Sequence, residues 1–310
     1  MLTLPAPHTM IGHPPPTLDP PLPLRQLNML FLTSDIDIVI HFAAIAYVGE
    51  SYKDPLMYYE NVTANTMHLL YAMKLGNVRS LVYSSTCATY GNAREQPITE
   101  NTPQNPVSPY GQSKLACEKM IIEYNAAYPD FDAVILRYFN VIGSDPDGIV
   151  GEFPQRDISQ KYGRISGACF DAALGYREGL TIMGTTHDTP DGTCVRDYIH
   201  VVDLVDAHVK AFSLLNGYGE VSTFNVGVGK GYSVKEFVSA CKEVTGVNIT
   251  VKHGETRAGD AAAVYADPTK IRAVLGWEPK YTDLTASLRT AWNWMKVHPK
   301  GYPKALPNGS

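Results

Sequence analysis

Short apolar runs alternate with helical stretches between residues 35 and 140, and this alternation limits the possible fold more than any other feature. Residues 36–42 read IDIVIHF, a mostly apolar run typical of a strand that is covered on both faces. Asp54 and Pro55 then supply a helix N-cap and a proline at the first helical position, and Gly76 ends that helix. The same alternation predicts a second helix and two further strands, at residues 109–128, 81–84 and 133–137. Because strand–helix–strand–helix–strand requires right-handed parallel crossovers, we predict an α/β fold with a doubly wound parallel sheet.

The second half of the chain has a more mixed pattern, which predicts a smaller mixed α/β region. Ser233 and Glu236 have the spacing of a capping box, which marks the start of a helix. Asp267 and Pro268 open a short helix that Gly276 ends. The remaining predicted elements are strands at residues 193–200 and 223–226, a helix from Asp203, and a Trp-containing helix over residues 284–297.

The first 34 residues have a different composition from the rest. Eight of the 22 prolines lie between Pro5 and Pro23, and hydrophobic periodicity is weak there. A segment of this kind cannot bury enough apolar surface to fold alone. We therefore expect residues 1–34 to be a disordered, proline-rich leader and ordered structure to begin near Asp35.

Composition excludes several functional classes. The net charge of −5 argues against a broad basic surface for nucleic acid. No stretch has the ~20 apolar residues of a membrane span. The five cysteines are scattered, without a CxxC pair, so we expect neither a disulfide framework nor a metal site. A reducing compartment, the cytoplasm, fits this cysteine usage.

The chemistry is expected where parallel strands end, because ligands bind at the carboxyl ends of such strands. One predicted strand ends in small residues at 42–44, and the next ends in a hydroxyl-rich turn at 84–91. Tyr110 and Lys114 follow on the next helix, on one face and one turn apart. An ammonium beside a phenol lowers the pKa of the phenol from ~10 toward neutrality and makes it a usable base. An exposed i,i+4 pair is the ordinary alternative for two such residues, and the hydroxyl-rich turn upstream favours catalysis.

At these motifs the sequence resembles the extended short-chain dehydrogenase/reductases, and among them the nucleotide-sugar 4-epimerases. The resemblance is strongest to the UDP-arabinose 4-epimerase subgroup, with UDP-glucose 4-epimerases nearby. It covers residues 35–302. The phrases that carry it are HFAAIAYVGES (41–51), YSSTCATYG (83–91), SPYGQSK (108–114), LRYFN (136–140), VRDYIHVVDL (195–204) and TRAGD (256–260).

The resemblance implies transient oxidation of the sugar at C4 with bound NAD, followed by return of the hydride to the other face. Tyr110 is then the base and acid, Lys114 tunes it and binds the nicotinamide ribose, and Thr86 holds or relays the proton of the 4-hydroxyl. The residues implied to line the cofactor are Phe42, Ala43, Ala44, Asn61, Ser84, Tyr110, Lys114 and Tyr138. The residues implied to hold the UDP-sugar are Thr86, Asn140, Arg196, Arg257 and Asp260, and the two arginines suit a diphosphate. Without the resemblance, Arg196 could instead form a salt bridge with Asp197 or Asp203.

The turn after Thr86 favours epimerisation over related reactions. Dehydratases and decarboxylases of the same superfamily carry acidic residues just after the threonine, where this chain has Cys87 and Ala88. We expect Cys87 to be a small buried residue, because no base is paired with it. The choice between UDP-arabinose/UDP-xylose and UDP-glucose/UDP-galactose depends on space near the sugar's C5 substituent, close to Val264.

One part of the family pattern is missing from the sequence. The family begins with a strand, a glycine-rich turn that holds the NAD pyrophosphate, and a helix, whereas Gly12 is the only glycine before Gly49. We therefore expect a partial dinucleotide-binding domain at residues 35–140, a UDP-sugar domain with returning segments at 141–310, and the strand at 36–42 as an open sheet edge. We expect weak NAD binding and little activity, so a non-catalytic nucleotide-sugar-binding remnant is an alternative.

The resemblance also implies a homodimer formed through the helices that begin at Pro55 and Pro109. Members of the subgroup are often anchored in the Golgi through an N-terminal membrane helix. A Golgi location is therefore the alternative to a cytoplasmic one.

Overall fold

A computed structural model of the chain describes residues 22–153, 164–256 and 260–302. Its strands, in chain order, are β1 (Ile38–His41), β2 (Ser80–Thr86), β3 (Asp132–Tyr138), β4 (Asn140–Ile142), β5 (Leu180–Met183), β6 (Val195–His200), β7 (Val221–Val226), β8 (Gly231–Ser233), β9 (Val251–Gly254) and β10 (Ala263–Val264). Its α-helices are α1 (Leu22–Thr33), α2 (Val48–Ser51), α3 (Pro55–Tyr58), α4 (Asn65–Leu75), α5 (Pro109–Ala127), α6 (Ile165–Ala173), α7 (Val201–Lys210), α8 (Val234–Thr245), α9 (Thr269–Leu275) and α10 (Leu284–Val297).

The main sheet is parallel throughout and has the strand order β1-β2-β3-β7. Side chains alternate across its strands, so successive residues of β2 enter two different core layers. Leu81 and Tyr83 pack with helices α1, α4 and α5 on one face. Val82 packs with α7 and α9 on the other face. Helices on both faces of a parallel sheet confirm the predicted doubly wound α/β fold.

The remaining strands form smaller sheets. Strands β10, β6 and β4 are parallel, and β8 pairs with β6 in the antiparallel direction. Strands β5 and β9 form a separate parallel pair. Strand β7 returns to the main sheet beside β3, so the division of the chain at residues 140/141 does not separate two sheets. The boundaries of the two domains stay a prediction.

Several helix ends follow local sequence signals, as predicted. The carboxylate of Asp54 accepts a hydrogen bond from the backbone nitrogen of Met57 at 3.1 Å, directly before Pro55. Ser233 and Glu236 form both hydrogen bonds of a capping box at the start of α8. The helix that begins at Pro55 ends at Gly76 but contains one wider, π-helical turn, Tyr59–Ala64, between α3 and α4.

The expectation that residues 1–34 are disordered is wrong for the part that the structure describes, because Leu22–Thr33 form α1. Phe31 of this helix is buried against α4. The contact depends on Gly76, where a β-carbon would lie 2.6 Å from the carbonyl oxygen of Phe31. Packing on α4 thus supplies the apolar burial that the segment lacks by itself. Residues 1–21 lie outside the described part of the chain.

Strand β1 pairs only with β2 among the described residues and lies at the edge of the sheet, as predicted. Its Ile40 and the following Phe42 are exposed. Within the described ranges, no helix is both long and apolar enough to cross a lipid bilayer.

Candidate active site

Thr86, Tyr110 and Lys114 meet at the carboxyl end of β2, as predicted from the sequence. Thr86 ends the strand, and its hydroxyl oxygen accepts a hydrogen bond from the backbone nitrogen of Ala88 at 3.1 Å. Tyr110 lies in the first turn of α5, which Ser108 caps. The Thr86 hydroxyl lies near the Tyr110 hydroxyl and lowers the pKa of that phenol. The three side chains are buried, with at most 6% of their surface exposed.

A glycine allows the helix to approach the turn this closely. A β-carbon on Gly111 would lie 2.6 Å from the carbonyl oxygen of Ala88 and 2.9 Å from the β-carbon of Pro106. Both distances are shorter than non-bonded atoms tolerate. Gly111 therefore sets the distance between α5 and the turn Cys87–Tyr90.

The environment of Tyr110 is apolar and aromatic. Its ring meets the ring of Tyr58 edge-to-face, with 6.1 Å between the centroids. Burial raises the pKa of Tyr110 well above its usual value, the nearby phenol of Tyr138 raises it further, and the hydrogen bond from Thr86 lowers it. The phenol is therefore protonated in the structure, and the predicted lowering of its pKa toward neutrality is wrong for this state of the site.

The position of the Lys114 ammonium explains the difference. Its Nζ donates a hydrogen bond to the carbonyl oxygen of Ser84 at 2.8 Å and lies 4.8 Å from the ring centroid of Tyr83. It is thus held at the backbone of β2 and does not bond the phenol of Tyr110. Burial lowers the pKa of Lys114 to about 8.

Three residues predicted to line the cofactor, Phe42, Ser84 and Tyr138, surround one buried imidazole. The Ser84 hydroxyl lies 2.8 Å from Nε2 of His208. The ring centroids of Phe42 and Tyr138 lie 4.5 and 6.4 Å from that of His208. Nδ1 of His208 faces the carbonyl oxygen of Leu204 at 2.8 Å, so Nδ1 carries the proton and Nε2 accepts from Ser84. The position of His208 could not be predicted from the sequence, because only the folded sheet brings α7 to the end of β2.

The other residues predicted to line the cofactor are Ala43 and Ala44, which lie on the loop after β1, and Asn61, which binds that loop. The side-chain oxygen of Asn61, in the π-helical turn, accepts a hydrogen bond from the backbone nitrogen of Ile45 at 2.8 Å. Ala43 is exposed and Ala44 is half-buried, next to the half-exposed ring of Phe42. Ala44 packs in the same core cluster as Tyr110, and the assignment of this small-residue surface to the flat nicotinamide half of NAD stays a prediction.

The predicted UDP-binding residues are placed more loosely. Arg196 of β6 is 3.9 Å from the carboxylate of Asp260 and is therefore not paired with Asp197 or Asp203. Asn140 is exposed at the start of β4, the strand beside β6. Arg257 lies outside the described residues.

Asp197 and Cys87 lie near the predicted site residues but are not assigned to binding or catalysis. Asp197 is buried and accepts hydrogen bonds from the backbone nitrogens of Val228, Gly229 and Ala266, so it ties the ends of three chain segments together. Burial raises the pKa of Cys87 to about 12, so this residue is a neutral thiol and not a nucleophile. Among the described residues, no group of three or more His, Cys, Asp or Glu side chains could hold a metal ion.

Comparison with known proteins identifies the family. Residues 24–286 match the family model described as GDP-mannose 4,6 dehydratase. A protein of Oryza sativa subsp. japonica named probable UDP-arabinose 4-epimerase 1 is 55% identical over 285 residues, which are 91% of this chain and 67% of that protein. The chain thus spans about two thirds of the length of this relative.

Solved structures show the same relationship. UDP-glucose 4-epimerase from Bifidobacterium longum, crystallised with NAD+ and UDP, matches with a TM-score of 0.85 and 37% identity, over 90% of this chain and 82% of that one. The enzyme from Stenotrophomonas maltophila, with bound NAD and formylated UDP-arabinopyranose, matches with a TM-score of 0.83 and 34% identity, over 89% and 81% of the two chains. These findings confirm the resemblance to UDP-arabinose and UDP-glucose 4-epimerases, and the chain belongs to the NAD-dependent nucleotide-sugar epimerase and dehydratase family of short-chain dehydrogenase/reductases.

Proposed function

We propose that the chain is a UDP-sugar 4-epimerase that interconverts UDP-arabinose and UDP-xylose. The observation that carries the proposal is the buried contact between the hydroxyls of Thr86 and Tyr110 with Lys114 one helical turn away. The relatives with 4-epimerase names support the substrate class, and 55% identity to a UDP-arabinose 4-epimerase supports the pentose.

The residues of the site divide the work between proton transfer and binding. When bound, NAD supplies a hydride acceptor and donor at the sugar's C4. Tyr110 exchanges a proton with the 4-hydroxyl oxygen, and the nearby hydroxyl of Thr86 holds that oxygen in line. Lys114 binds the nicotinamide ribose, at the surface formed by Phe42 and Ala43. Because the hydride and the proton both return to the sugar, the net reaction is an inversion at one carbon.

The substrate end requires cations for the diphosphate and donors for the sugar. Arg196, Asp260 and Asn140 are the described residues that we assign to this end, and Arg257 is assigned to it from the sequence motif. The guanidinium of Arg196 donates through Nη1 to the carbonyl oxygen of Val195 at 2.8 Å, and its Nη2 lies 3.9 Å from Asp260. Nη2 is therefore the nitrogen that we assign to a phosphate. Most of the Arg196 side chain is buried. Its positive charge acts on Cys87, in the turn that follows Thr86.

The same turn supports epimerisation over elimination or decarboxylation. Such reactions need an acid or base to act at carbon, and the positions after Thr86 hold Cys87 and Ala88. With a pKa of about 12, Cys87 does not ionise at neutral pH. Neither residue can therefore supply the additional proton transfer.

One comparison supports a second substrate pair. A UDP-glucose 4-epimerase from Bifidobacterium longum shares the fold, so UDP-glucose/UDP-galactose is the second substrate pair. A non-catalytic nucleotide-sugar-binding protein is the alternative to an enzyme.

The proposal is tested by incubating the purified chain with NAD and UDP-arabinose and separating the sugar nucleotides by chromatography. We expect UDP-xylose to form, UDP-glucose to convert more slowly, and Tyr110→Phe to abolish both conversions while UDP still binds in calorimetry. Binding of UDP without conversion, in the native chain supplied with NAD, would identify the non-catalytic alternative. Equal conversion by native chain and Tyr110→Phe would refute the assignment of the base.

We further propose a homodimer formed through the helices that begin at Pro55 and Pro109. Large apolar side chains are exposed on these helices, among them Leu56, Tyr71 and Ile122. Sedimentation velocity should give twice the chain mass, and Ile122→Glu should reduce it to a monomer. The cytoplasmic location and its Golgi alternative stay predictions, which fractionation of expressing cells would distinguish.

A further inference from the structure

A buried ion pair lies directly behind the catalytic residues, between α5 and β3. The guanidinium of Arg137 donates to the carboxylate of Glu118 through Nη2 at 2.7 Å and through Nε at 3.1 Å. The same carboxylate accepts from the hydroxyl of Ser85 and from Nε2 of Gln104, the latter at 2.8 Å. Glu118 is only 1% exposed, and its bonds to Arg137 and Ser85 are buried, while its bond to Gln104 is partly buried.

The network continues from Arg137 to the far end of the catalytic turn. Nη1 of Arg137 donates to the hydroxyl oxygen of Tyr90 at 2.9 Å, and Tyr90 donates in turn to the side-chain oxygen of Asn225 on β7 at 2.7 Å. The side-chain nitrogen of Asn225 donates to the carbonyl oxygen of Ile98 at 2.8 Å. Strands β2, β3 and β7 and helix α5 are thereby joined at one end of the sheet.

Members of this network adjoin residues assigned to catalysis. Ser85 precedes Thr86 in β2, and Arg137 precedes Tyr138 in β3. Glu118 lies four residues, about one helical turn, after Lys114 in α5. A displacement of Glu118 would therefore move or expose groups on both sides of the proposed proton path.

Stability alone does not account for an ion pair in this position. Apolar residues of similar volume often stabilise a core as well as a buried ion pair does, because both charges must be removed from water. The pair differs from apolar packing in two ways: its hydrogen bonds fix direction, and its carboxylate acts on nearby charges.

We propose that Glu118 is a positioning residue of the active site, which fixes the catalytic turn against α5 through Ser85 and Arg137 and stabilises the ammonium form of Lys114. Its effect on the reaction rests on the proposed epimerase function. Its effect on Lys114 itself does not, since that effect exists in the chain without turnover.

The groups around Lys114 favour this role for the carboxylate. Burial lowers the pKa of Lys114 to about 8, and the nearby Cys117 and the charge of Glu118 oppose that shift. The titratable groups near the ammonium are His41 of β1, Tyr83 of β2, and Cys117 and Glu118 of α5. His41 is neutral at pH 7, because burial and Lys114 lower its pKa to about 4. In this set of described residues, Glu118 is the one carboxylate.

The test measures the titration of Lys114 directly. The full chain is labelled with ¹³C-lysine, the Cε signal of Lys114 is assigned by its loss in Lys114→Arg, and its midpoint is followed by NMR over pH. In Glu118→Gln we expect the midpoint to fall by about one pH unit, the size of effect that a close opposite charge has. The matched control is Gln104→Ala, which removes one hydrogen bond to the carboxylate and keeps its charge, so its midpoint should equal that of the native chain.

A second variant covers the case in which Glu118→Gln does not fold because it leaves Arg137 without its carboxylate. Glu118→Gln combined with Arg137→Met removes both charges, and the Lys114 midpoint should again fall. An unchanged midpoint in a folded variant without Glu118 would overturn the proposal.

Kinetics then separate positioning from a merely structural role. Where the native chain turns over UDP-arabinose, Glu118→Gln should lower kcat about tenfold at pH 7, leave KM unchanged, and shift the alkaline limb of the pH profile downward with the Lys114 midpoint. A lower kcat with an unmoved alkaline limb would contradict the proposed effect on Lys114. If the native chain shows no turnover, the proposed epimerase function fails, while the NMR titration still decides the role of Glu118.

Discussion

The two halves of the site are built differently. In the half that we propose to be catalytic, which contains Thr86, Tyr110 and Lys114, the side chains are buried and held by hydrogen bonds or ring contacts. In the half that we propose to bind the substrate, which contains Arg196 and Asp260, the side chains are partly exposed and their charged groups come no closer than 3.9 Å. The proposed proton transfer requires fixed distances, whereas a nucleotide sugar must enter the site and its sugar ring must rotate there. The proposed function therefore accounts for a buried catalytic half and a more exposed substrate half.

The largest effect is expected in the catalytic half, from Lys114→Met. Loss of the ammonium should reduce kcat at least about 100-fold, as removal of a group that supports acid–base chemistry does. The same change should stabilise the fold by about 2 kcal/mol at pH 7, because removal of the buried charge stabilises the fold by more than the loss of the hydrogen bond to Ser84 destabilises it. Chemical denaturation and initial rates on the same preparation measure both quantities.

The pH dependence of stability checks the same residue. Because the pKa of Lys114 falls to about 8 in the folded chain, the folded chain loses this proton at a lower pH than the unfolded chain does. The free energy of unfolding should therefore gain a contribution between about pH 8 and pH 10.5 that Lys114→Met lacks. Identical pH dependence in the two proteins would place the charge of Lys114 in water and weaken the contrast between the halves.

A smaller effect is expected from Gly111→Ala, which tests how tightly the catalytic half is packed. The added methyl group would clash with the carbonyl oxygen of Ala88, so we expect a loss of about 1–3 kcal/mol in the free energy of unfolding and a lower kcat. Gly167 of α6 is the matched control, since a β-carbon there meets no atom within 4 Å. Gly167→Ala should be neutral or stabilise by up to about 1 kcal/mol. Equal thermal shifts in the two variants would show that α5 can withdraw from the turn at little cost.

The smallest effect is expected in the substrate half. Arg196→Ala should weaken UDP binding about tenfold in calorimetry, because a guanidinium that keeps some exposure to water contributes less than a fully buried one, and should leave the stability of the fold unchanged. Arg79, which forms an exposed ion pair with Asp130, is the control, and Arg79→Ala should not change UDP binding. A large loss of stability in Arg196→Ala would mean that this half is as rigid as the catalytic one.

The ends of several helices could be predicted from the sequence because their signals are confined to a few adjacent residues. The N-cap at Asp54, the capping box of Ser233 and Glu236, and the stop at Gly76 each depend on backbone groups within four residues. Helix α1 was missed because its stability comes from Phe31 packing on a distant helix and not from its own composition.

The relative placement of Tyr110 and Lys114 could be predicted because their spacing is local, but their contacts could not, and their catalytic role stays a prediction. The i,i+4 spacing placed Tyr110 and Lys114 on one helical face, yet only the folded strand showed that the ammonium bonds the carbonyl oxygen of Ser84. His208 and Glu118 were missed for the same reason. Their partners lie 124 and 19 or 33 residues away along the chain and become neighbours only when the strands align.

The wider turn at Tyr59–Ala64 has a consequence for how this helix tolerates changes in length. An α-helix advances about 100° per residue, so deleting one residue from that turn would rotate everything before it by roughly this angle relative to α4. Asn61 would then swing away from Ile45, while Leu69 and Met73 would keep their places in the core. The extra residue thus sets the rotation between two parts of the helix. One part holds the loop after β1 through Asn61, and the other part packs in the core through Leu69 and Met73.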